Sequence, residues 1–240
     1  MRAMDVMVRD VVTASPDEDV GQVIELLAKH DASTLPVVDE EGHVVGMIGD
    51  LDLMRRPEIG TEKHHPWWME AMTPASTLAG EFAKSHGRRV SEVMSTHVIS
   101  ANEDTPLGDI ANLLEKHRIK RVPILRDGKL VGVVSRSNLI QALASSHGRP
   151  HDAAESDRDI RSILLTQLGE QDWTDFGSRN VIVTDGVVHL WGLVGSEEER
   201  EALTALAEGV PGVVGVSDEM IPAYSTKACA LIPNRPLASN

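Results

Sequence analysis

Two short segments of the sequence place small, hydroxyl and amide or carboxylate side chains where an apolar run ends and a helical pattern begins. They are residues 46–52, Gly-Met-Ile-Gly-Asp-Leu-Asp, and residues 132–138, Gly-Val-Val-Ser-Arg-Ser-Asn. A helix N-terminus offers unpaired backbone N–H groups and a positive dipole end, which suit a phosphate. Ser135 adds a hydroxyl, and Asp52 or Asn138 can accept hydrogen bonds from a ribose diol. These residue types predict binding of a phosphorylated nucleoside.

The sequence gives little support to catalysis or metal binding. We find no serine nucleophile elbow, Cys/His pair, phosphate-binding P-loop or paired catalytic carboxylates. His64, His65 and His86 could suggest a metal, but no spacing places them on one face. We therefore predict no metal and no enzymatic activity, and we interpret these histidines as exposed or packed side chains.

Composition restricts the class of partner and the compartment. The 240 residues carry a net charge of -14, which argues against nucleic acid or an anionic membrane as the main partner. Charged residues interrupt residues 1–12, so no secretion signal is predicted, and no window is long and apolar enough to span a membrane. The single cysteine, Cys229, fits a reducing compartment. We expect a cytoplasmic protein.

The elements that must position the two segments form an internal repeat. Residues 6–55 match residues 93–141 at an offset of 87 positions. Each copy has a helical stripe followed by two apolar runs around a turn, and in the first copy the stripe is Val20, Val23, Ile24 and Leu27. One copy alone cannot bury its apolar faces, so we expect a pseudo-twofold pair.

The pattern changes outside the two copies. Tandem tryptophans and a predicted helix over 77–86 lie between them, and a polar stretch after Ala144 begins a linker. The second domain then predicts helix, strand, strand, helix, strand, with an Asp185-Gly186 turn and a Ser196 helix cap. We expect these divisions: repeat 1 at 1–55, an insertion at 56–89, repeat 2 at 90–145, a linker at 146–155, the second domain at 156–222 and a mobile tail at 223–240.

The repeat pair resembles tandem CBS domains, which are regulatory modules that bind AMP, ATP, other adenosyl ligands or NAD. In that family a small hydroxyl residue meets phosphate, the acidic residue three positions later holds the ribose, and backbone near the repeat start frames the base. The resemblance implies an adenine-nucleotide regulatory ligand, AMP or ATP above all. It implicates Thr13, Ala14, Gly46 and Asp52 in one site, and Ser100, Ala101, Gly132, Ser135 and Asn138 in the other.

The sequence departs from the CBS pattern at two places. Gly49 stands where the first site calls for Ser or Thr, and Asn138 stands where the second calls for Asp. The cluster of Arg118, Lys120 and Arg121 resembles the family's phosphate-facing group and has no basic counterpart in repeat 1. The two loops are either nucleotide sites or structural turns that have lost their ligand. The basic cluster is either a phosphate contact or a solvated helix end.

The second domain resembles the BON family through its Val181–Gly192 hairpin and the glycines at 192 and 212. The expected fold class is α+β, a pseudo-twofold pair of CBS βαββα repeats plus a small αββαβ BON domain. We expect a signal-transduction protein that relays nucleotide binding to the BON domain or an unknown regulated partner. The CBS resemblance implies a homodimer. The alternative is an adaptor that binds no nucleotide and uses the BON domain to attach to a protein or to membrane phospholipid.

Overall fold

The computed structural model describes residues 1–30, 32–54, 56–61, 72–146, 154–174 and 180–223. Its contacts divide the chain into two compact units, each assembled from separate stretches of sequence. The terminal unit comprises Met1–Arg9, Asp104–Ala111 and Val134–Asn240, and the central unit comprises Asp10–Glu103 and Asn112–Val133. The division therefore crosses both repeats.

Helices and strands are interspersed along the described residues. The helices are α1 (Ala3–Val6), α2 (Val20–Lys29), α3 (Asp50–Leu53), α4 (Ala75–His86), α5 (Val90–Val93), α6 (Leu107–Lys116), α7 (Arg136–Ser145), α8 (Glu155–Gly169) and α9 (Glu197–Glu208). The strands are β1 (Thr34–Val38), β2 (Val44–Gly49), β3 (Ala101–Asn102), β4 (Arg121–Arg126), β5 (Lys129–Ser135), β6 (Asn180–Thr184), β7 (Val187–Val194) and β8 (Gly215–Pro222). This order confirms the predicted mixed fold.

The repeat in the sequence is also a repeat in the structure. The starts of α1 and α5, of α2 and α6, and of β1 and β4 are each separated by the same 87 residues, as in 90 minus 3. In repeat 1 the segment before α2 joins the sheet in parallel, with Ala14 opposite Val37. In repeat 2 Ala101 stands opposite Ile124 in the same parallel sense. Both copies thus build the predicted unit from equivalent residues.

The apolar pattern explains most of the burial in repeat 1. Val20 and Val23 of α2 are buried, as are Leu35 and Val37 of β1, because period 3.6 and the pleat each direct one face inward. Ile24, from the same predicted stripe, is 45% exposed. The cluster is completed by buried residues from neighbouring elements: Ala14, Ile48, Leu53, Val90 and Val93.

Each unit contains one copy of a contact between the start of one repeat and the segment that precedes α2 or α6 in the other. In the terminal unit the Ala3 amide donates to the Thr105 carbonyl at 2.9 Å. In the central unit the Val90 amide donates to the Glu18 carbonyl at 3.0 Å. Val90 is equivalent to Ala3 and Glu18 to Thr105 at the offset of 87 residues. This reciprocity is what a duplicated, twofold-related pair requires.

The C-terminal domain has the predicted element order. β6 and β7 form an antiparallel hairpin, and β8 pairs with β7 in parallel after the α9 crossover. Asp185 and Gly186 have φ angles of 53° and 75°, the left-handed conformations that a tight two-residue hairpin turn requires. The Ser196 side chain accepts from the Glu199 amide and begins α9 as predicted.

The insertion is described in part. α4 covers the predicted helix over 77–86 and ends before Gly87, whose backbone is extended with a negative φ of -60°. Glycine is needed there for space, because a Cβ would lie 2.8 Å from Val93. The tandem tryptophans, His64, His65, the linker core and the tail beyond residue 223 lie outside the described residues.

Candidate functional site

The N-terminus of α7 brings Ser135 and Asn138 into direct contact. The Asn138 Oδ1 atom accepts from the Ser135 amide and hydroxyl, both at 2.8 Å, and the Asn138 amide donates to Ser135 Oγ at 3.3 Å. Asn138 is only 5% exposed, whereas Ser135 is half-buried. The Asn138 Nδ2 atom donates to Gln141 Oε1 at 3.1 Å. Ser135 and Asn138 therefore form a reciprocal helix cap at the position predicted to meet phosphate and ribose.

The equivalent cap in repeat 1 uses a carboxylate and a residue from repeat 2. The Gly49 amide donates to Asp52 Oδ2 at 3.1 Å. Asp52 Oδ1 accepts from Ser95 Oγ at 3.2 Å, and Ser95 exchanges two backbone hydrogen bonds with Met47. The sequence analysis missed Ser95, because it lies 43 residues beyond Asp52 along the chain and approaches it only in the folded structure.

Packing accounts for the missing hydroxyl at position 49. A Cβ on Gly49 would lie 2.7 Å from the Ser33 carbonyl and 2.9 Å from Thr34 Oγ1. The Ser33 carbonyl is fixed, because it accepts from the Asp50 amide at 3.0 Å. A serine or threonine at this position would therefore displace the chain at the start of β1. At the equivalent position of repeat 2, Ser135 is accommodated.

The residues predicted to frame the base lie in short segments that pair in parallel with a strand of each repeat. Ala14 is buried, and its amide donates to the Pro36 carbonyl at 3.0 Å. Its carbonyl accepts from the Val38 amide at 2.9 Å, while the adjoining Thr13 is half-buried. Ser100 and Ala101 are also half-buried, and Ala101 begins β3. The two pairs thus occupy equivalent positions in the two repeats.

The basic cluster of repeat 2 faces polar groups of repeat 1 within the central unit. Lys120 Nζ lies 2.9 Å from Asp50 Oδ2, at the first residue of α3. Arg121 donates to the Thr34 carbonyl at 3.5 Å. Arg118 is exposed and has a φ of 54°, so it ends the α6 turn in the left-handed region. The cluster therefore places its described contacts beside the repeat 1 cap.

The two signature glycines are both buried within strands. At Gly46 a Cβ would approach the Met94 sulfur to 2.5 Å and the Ser95 carbonyl to 3.2 Å. Glycine at this position therefore accommodates a protein contact with the segment after α5. Gly132 lies in β5, three residues before Ser135.

An apolar pocket of about 860 Å³ lies beside α2 and α3 in the central unit. Ile24 and Leu27 line it from α2, and Leu53 and Met54 line it from the end of α3. None of the predicted ligand residues lines this pocket. The helical spacing of Ile24 and Leu27 was the available signal, but the sequence analysis assigned that spacing to the core.

Neither a cluster of metal ligands nor a membrane-spanning helix is found among the described residues. No group of three or more His, Cys, Asp or Glu side chains there could hold a metal ion. Among the same residues, each helix is too short or too polar to cross a bilayer.

Comparisons with known proteins agree with this architecture. The CBS domain family model matches residues 3–58 and 90–145, and the BON domain model matches residues 156–221. The CBS domain-containing protein YhcV of Bacillus subtilis is 31% identical over 135 residues, which cover 56% of this chain and 80% of YhcV. The chain belongs to the CBS-domain proteins and carries a BON domain after its CBS pair.

Other matches are limited to part of the relative or to the fold of the pair. Inosine-5'-monophosphate dehydrogenase of Methanocaldococcus jannaschii is 25% identical over 173 residues, which are 72% of this chain but 28% of the enzyme. The chain spans less than two thirds of several other curated relatives. CBSX2 is a protein of Arabidopsis thaliana. Its crystal structure in complex with AMP superposes on this chain with a TM-score of 0.52 at 26% identity. It covers 60% of this chain and 97% of CBSX2.

Proposed function

We propose that this protein is a regulatory protein that binds an adenosyl ligand in its CBS pair, with AMP or ATP as the leading candidates. The observation that carries the proposal is the cap at the start of α7, where a half-buried hydroxyl and a buried amide lie at the N-terminus of a ten-residue helix. Such an end favours phosphate through its free amides and dipole. The AMP complex of the similar protein CBSX2 supports an adenosyl ligand.

The basic residues of repeat 2 would contact a phosphate beside the repeat 1 cap, in the central unit, where Lys120 pairs with Asp50. The side chains of Lys120 and Asp50 are 57% and 45% exposed, so their ion pair is screened and weak. A phosphate group would compete with Asp50 for Lys120. Binding should therefore weaken as salt concentration rises, because a partly exposed phosphate contact is screened.

The proposal is tested by calorimetric titration of the full chain with AMP, ADP, ATP, NAD and S-adenosylmethionine. We expect saturable binding of at least one nucleotide, and loss of about tenfold or more in affinity for Ser135→Ala and Asn138→Ala. Ser137→Ala and Asn112→Ala are matched controls, because both residues are exposed and lie on α7 and α6. Absence of heat with every nucleotide would overturn the proposal.

A second candidate function is that of an adaptor without a nucleotide. It is favoured by the internal hydrogen bonds of both caps, since Asn138 and Asp52 already have protein partners. The BON domain would then attach the protein to another protein or to phospholipid. The net charge of -14 gives the phospholipid attachment less support. Sedimentation with vesicles of phosphatidylglycerol and phosphatidylcholine, measured on the same sample as the titration, separates these attachments.

We further propose a cytoplasmic homodimer without catalytic activity. The side chains of Leu51 and Met54 are 76% and 52% exposed, and Met54 also lines the apolar pocket beside α2 and α3. This supports association through α3, because contiguous apolar surface favours a partner. Light scattering should report a dimer that Leu51→Glu dissociates, and a monomeric wild type would contradict it. Incubation with ATP should give no product, and any hydrolysis would contradict the absence of catalysis.

A further inference from the structure

The BON domain contacts α1 through a buried arginine. Arg161 of α8 is 3% exposed, and its Nη atoms donate to the carbonyls of Met4 at 3.0 Å and Met7 at 2.7 Å. Its Nε atom donates to the Val181 carbonyl at 2.7 Å. Burial lowers the pKa of Arg161 to about 9, so the side chain is still a cation at neutral pH. These bonds attach β6 and α8 to the first residues of the chain.

Asn180 connects this arginine to α7. Its Nδ2 atom donates both to the Val6 carbonyl at 2.9 Å and to Gln141 Oε1 at 3.1 Å. Its Oδ1 atom accepts from Arg161 at 3.4 Å. Since Asn180 is 3% exposed, water has little access to replace these bonds. The amide of a single BON side chain therefore contacts both CBS repeats within the terminal unit.

Gln141 shares one oxygen between the BON domain and the α7 cap. Its Oε1 atom accepts from Asn180 Nδ2 and from Asn138 Nδ2, each at 3.1 Å. Asn138 is in turn the residue that accepts from Ser135. A continuous chain of hydrogen bonds thus runs from the α7 N-terminus to β6 of the BON domain.

We propose that Asn138, Gln141 and Asn180 couple ligand occupancy at the α7 cap to the docking of the BON domain, an inference that rests on the proposed function. A ribose that takes Asn138 as its partner must turn the amide of Asn138 away from Ser135 and Gln141. Gln141 Oε1 then loses one donor, which changes its bond to Asn180. The two orientations of the Asn138 amide are the two states, and the nucleotide shifts their populations by its difference in affinity.

Trp191 provides a built-in reporter of BON docking on α7. Its indole Nε1 atom donates to Ser145 Oγ at 3.2 Å, at the last residue of α7. Ser145 is 1% exposed, so this contact is buried on the α7 side. A shift of α7 against the BON domain should therefore move the indole N–H resonance of Trp191.

The experiment follows the Trp191 indole resonance of uniformly ¹⁵N-labelled full chain during titration with AMP and with ATP. Trp191→Phe assigns the resonance. Gln141→Leu removes the shared acceptor, whereas Gln141→Glu keeps an acceptor for both asparagine amides. Gln167→Leu makes the same chemical change on α8, where Gln167 is half-buried like Gln141.

We expect the Trp191 resonance to shift on nucleotide binding in the wild type, in Gln141→Glu and in Gln167→Leu. In Gln141→Leu the nucleotide should still bind by calorimetry, with an affinity changed about fivefold, while the resonance shift falls to a small fraction. A dispersed indole spectrum verifies that this variant is folded.

Three results would overturn the coupling. An unchanged shift and affinity in Gln141→Leu would show that the chain of amides carries no coupling. Binding without any Trp191 shift in the wild type would refute the coupling and leave the nucleotide sensor intact. Absence of binding by AMP and ATP, and by the other three nucleotides in calorimetry, would refute both.

Discussion

The closing helices of the two repeats begin alike and end differently. In both helices the third residue, Asp52 or Asn138, accepts from the backbone amide at the cap, and only repeat 2 adds a cap hydroxyl, that of Ser135. α3 ends after four residues and leaves Leu51 and Met54 exposed, whereas α7 continues for ten residues to contact the BON domain. The repeat 1 motif therefore has one partner from the start of repeat 2, Ser95, whereas the repeat 2 motif has a chain of partners leading to another domain.

The largest expected effect comes from removing the arginine that attaches the BON domain to the first residues of the chain. Arg161→Ala leaves the carbonyls of Met4, Met7 and Val181 without their donor in a buried site. We expect a loss of about 3 kcal/mol or more in the free energy of unfolding, measured by urea denaturation. Arg126→Ala is the control, because that side chain is 63% exposed and should change stability little. Equal losses in the two variants would contradict the anchoring role.

A second variant transfers the repeat 2 hydroxyl into repeat 1. Gly49→Ser should lower stability by about 1–3 kcal/mol, since its Cβ meets the Ser33 carbonyl and the backbone must move. The control is Gly108→Ser, on an α6 position with no atom within 4 Å, where serine should be tolerated. Thermal unfolding measures both. A Gly49→Ser protein as stable as wild type would mean that the sheet relaxes without cost.

A third variant gives repeat 2 the carboxylate of repeat 1. Asn138→Asp should bind the nucleotide about fivefold more tightly, because a charged acceptor makes stronger hydrogen bonds to a ribose diol. It should also lose stability, since a carboxylate oxygen replaces the Nδ2 donor that lies 3.1 Å from Gln141 Oε1.

The reciprocal variant, Asp52→Asn, tests whether repeat 1 also binds. Calorimetry and denaturation report affinity and stability separately. Tighter binding in Asp52→Asn than in Asn138→Asp would reverse the assignment of the better site to repeat 2.

The smallest effect concerns the start of repeat 2. Glu92 accepts from the amides of Arg88 and Arg89, and these bonds lower the pKa of its exposed carboxyl. A lowered folded-state pKa contributes stability above the ordinary value of 4.5 that is lost as the pH falls below it. Glu92→Gln should therefore flatten the acid limb of the unfolding curve below pH 4.5. Asp5, the equivalent residue in repeat 1, is buried against Arg158, so its variant tests a different environment.

Local signals in the sequence were sufficient for most elements. The Asp127-Gly128 and Asp185-Gly186 pairs adopt the left-handed turns that their residue types favour, and the 87-residue offset predicted the second repeat from the first. The α7 cap was predictable because a cap depends on residues three positions apart. By contrast, the signal for Ile24 gave only the expectation of a core stripe, whereas its side chain is 45% exposed.

The sequence by itself determined the two repeats, the BON element order and the residue types at each cap, because these depend on neighbours along the chain. Tertiary structure alone decided which partners those caps have. Ser95 reaches Asp52 across 43 residues, and Asn180 reaches Val6 across 174. Hydrogen bonds of this kind depend on where separate elements are placed by packing, and no spacing in the sequence encodes that placement.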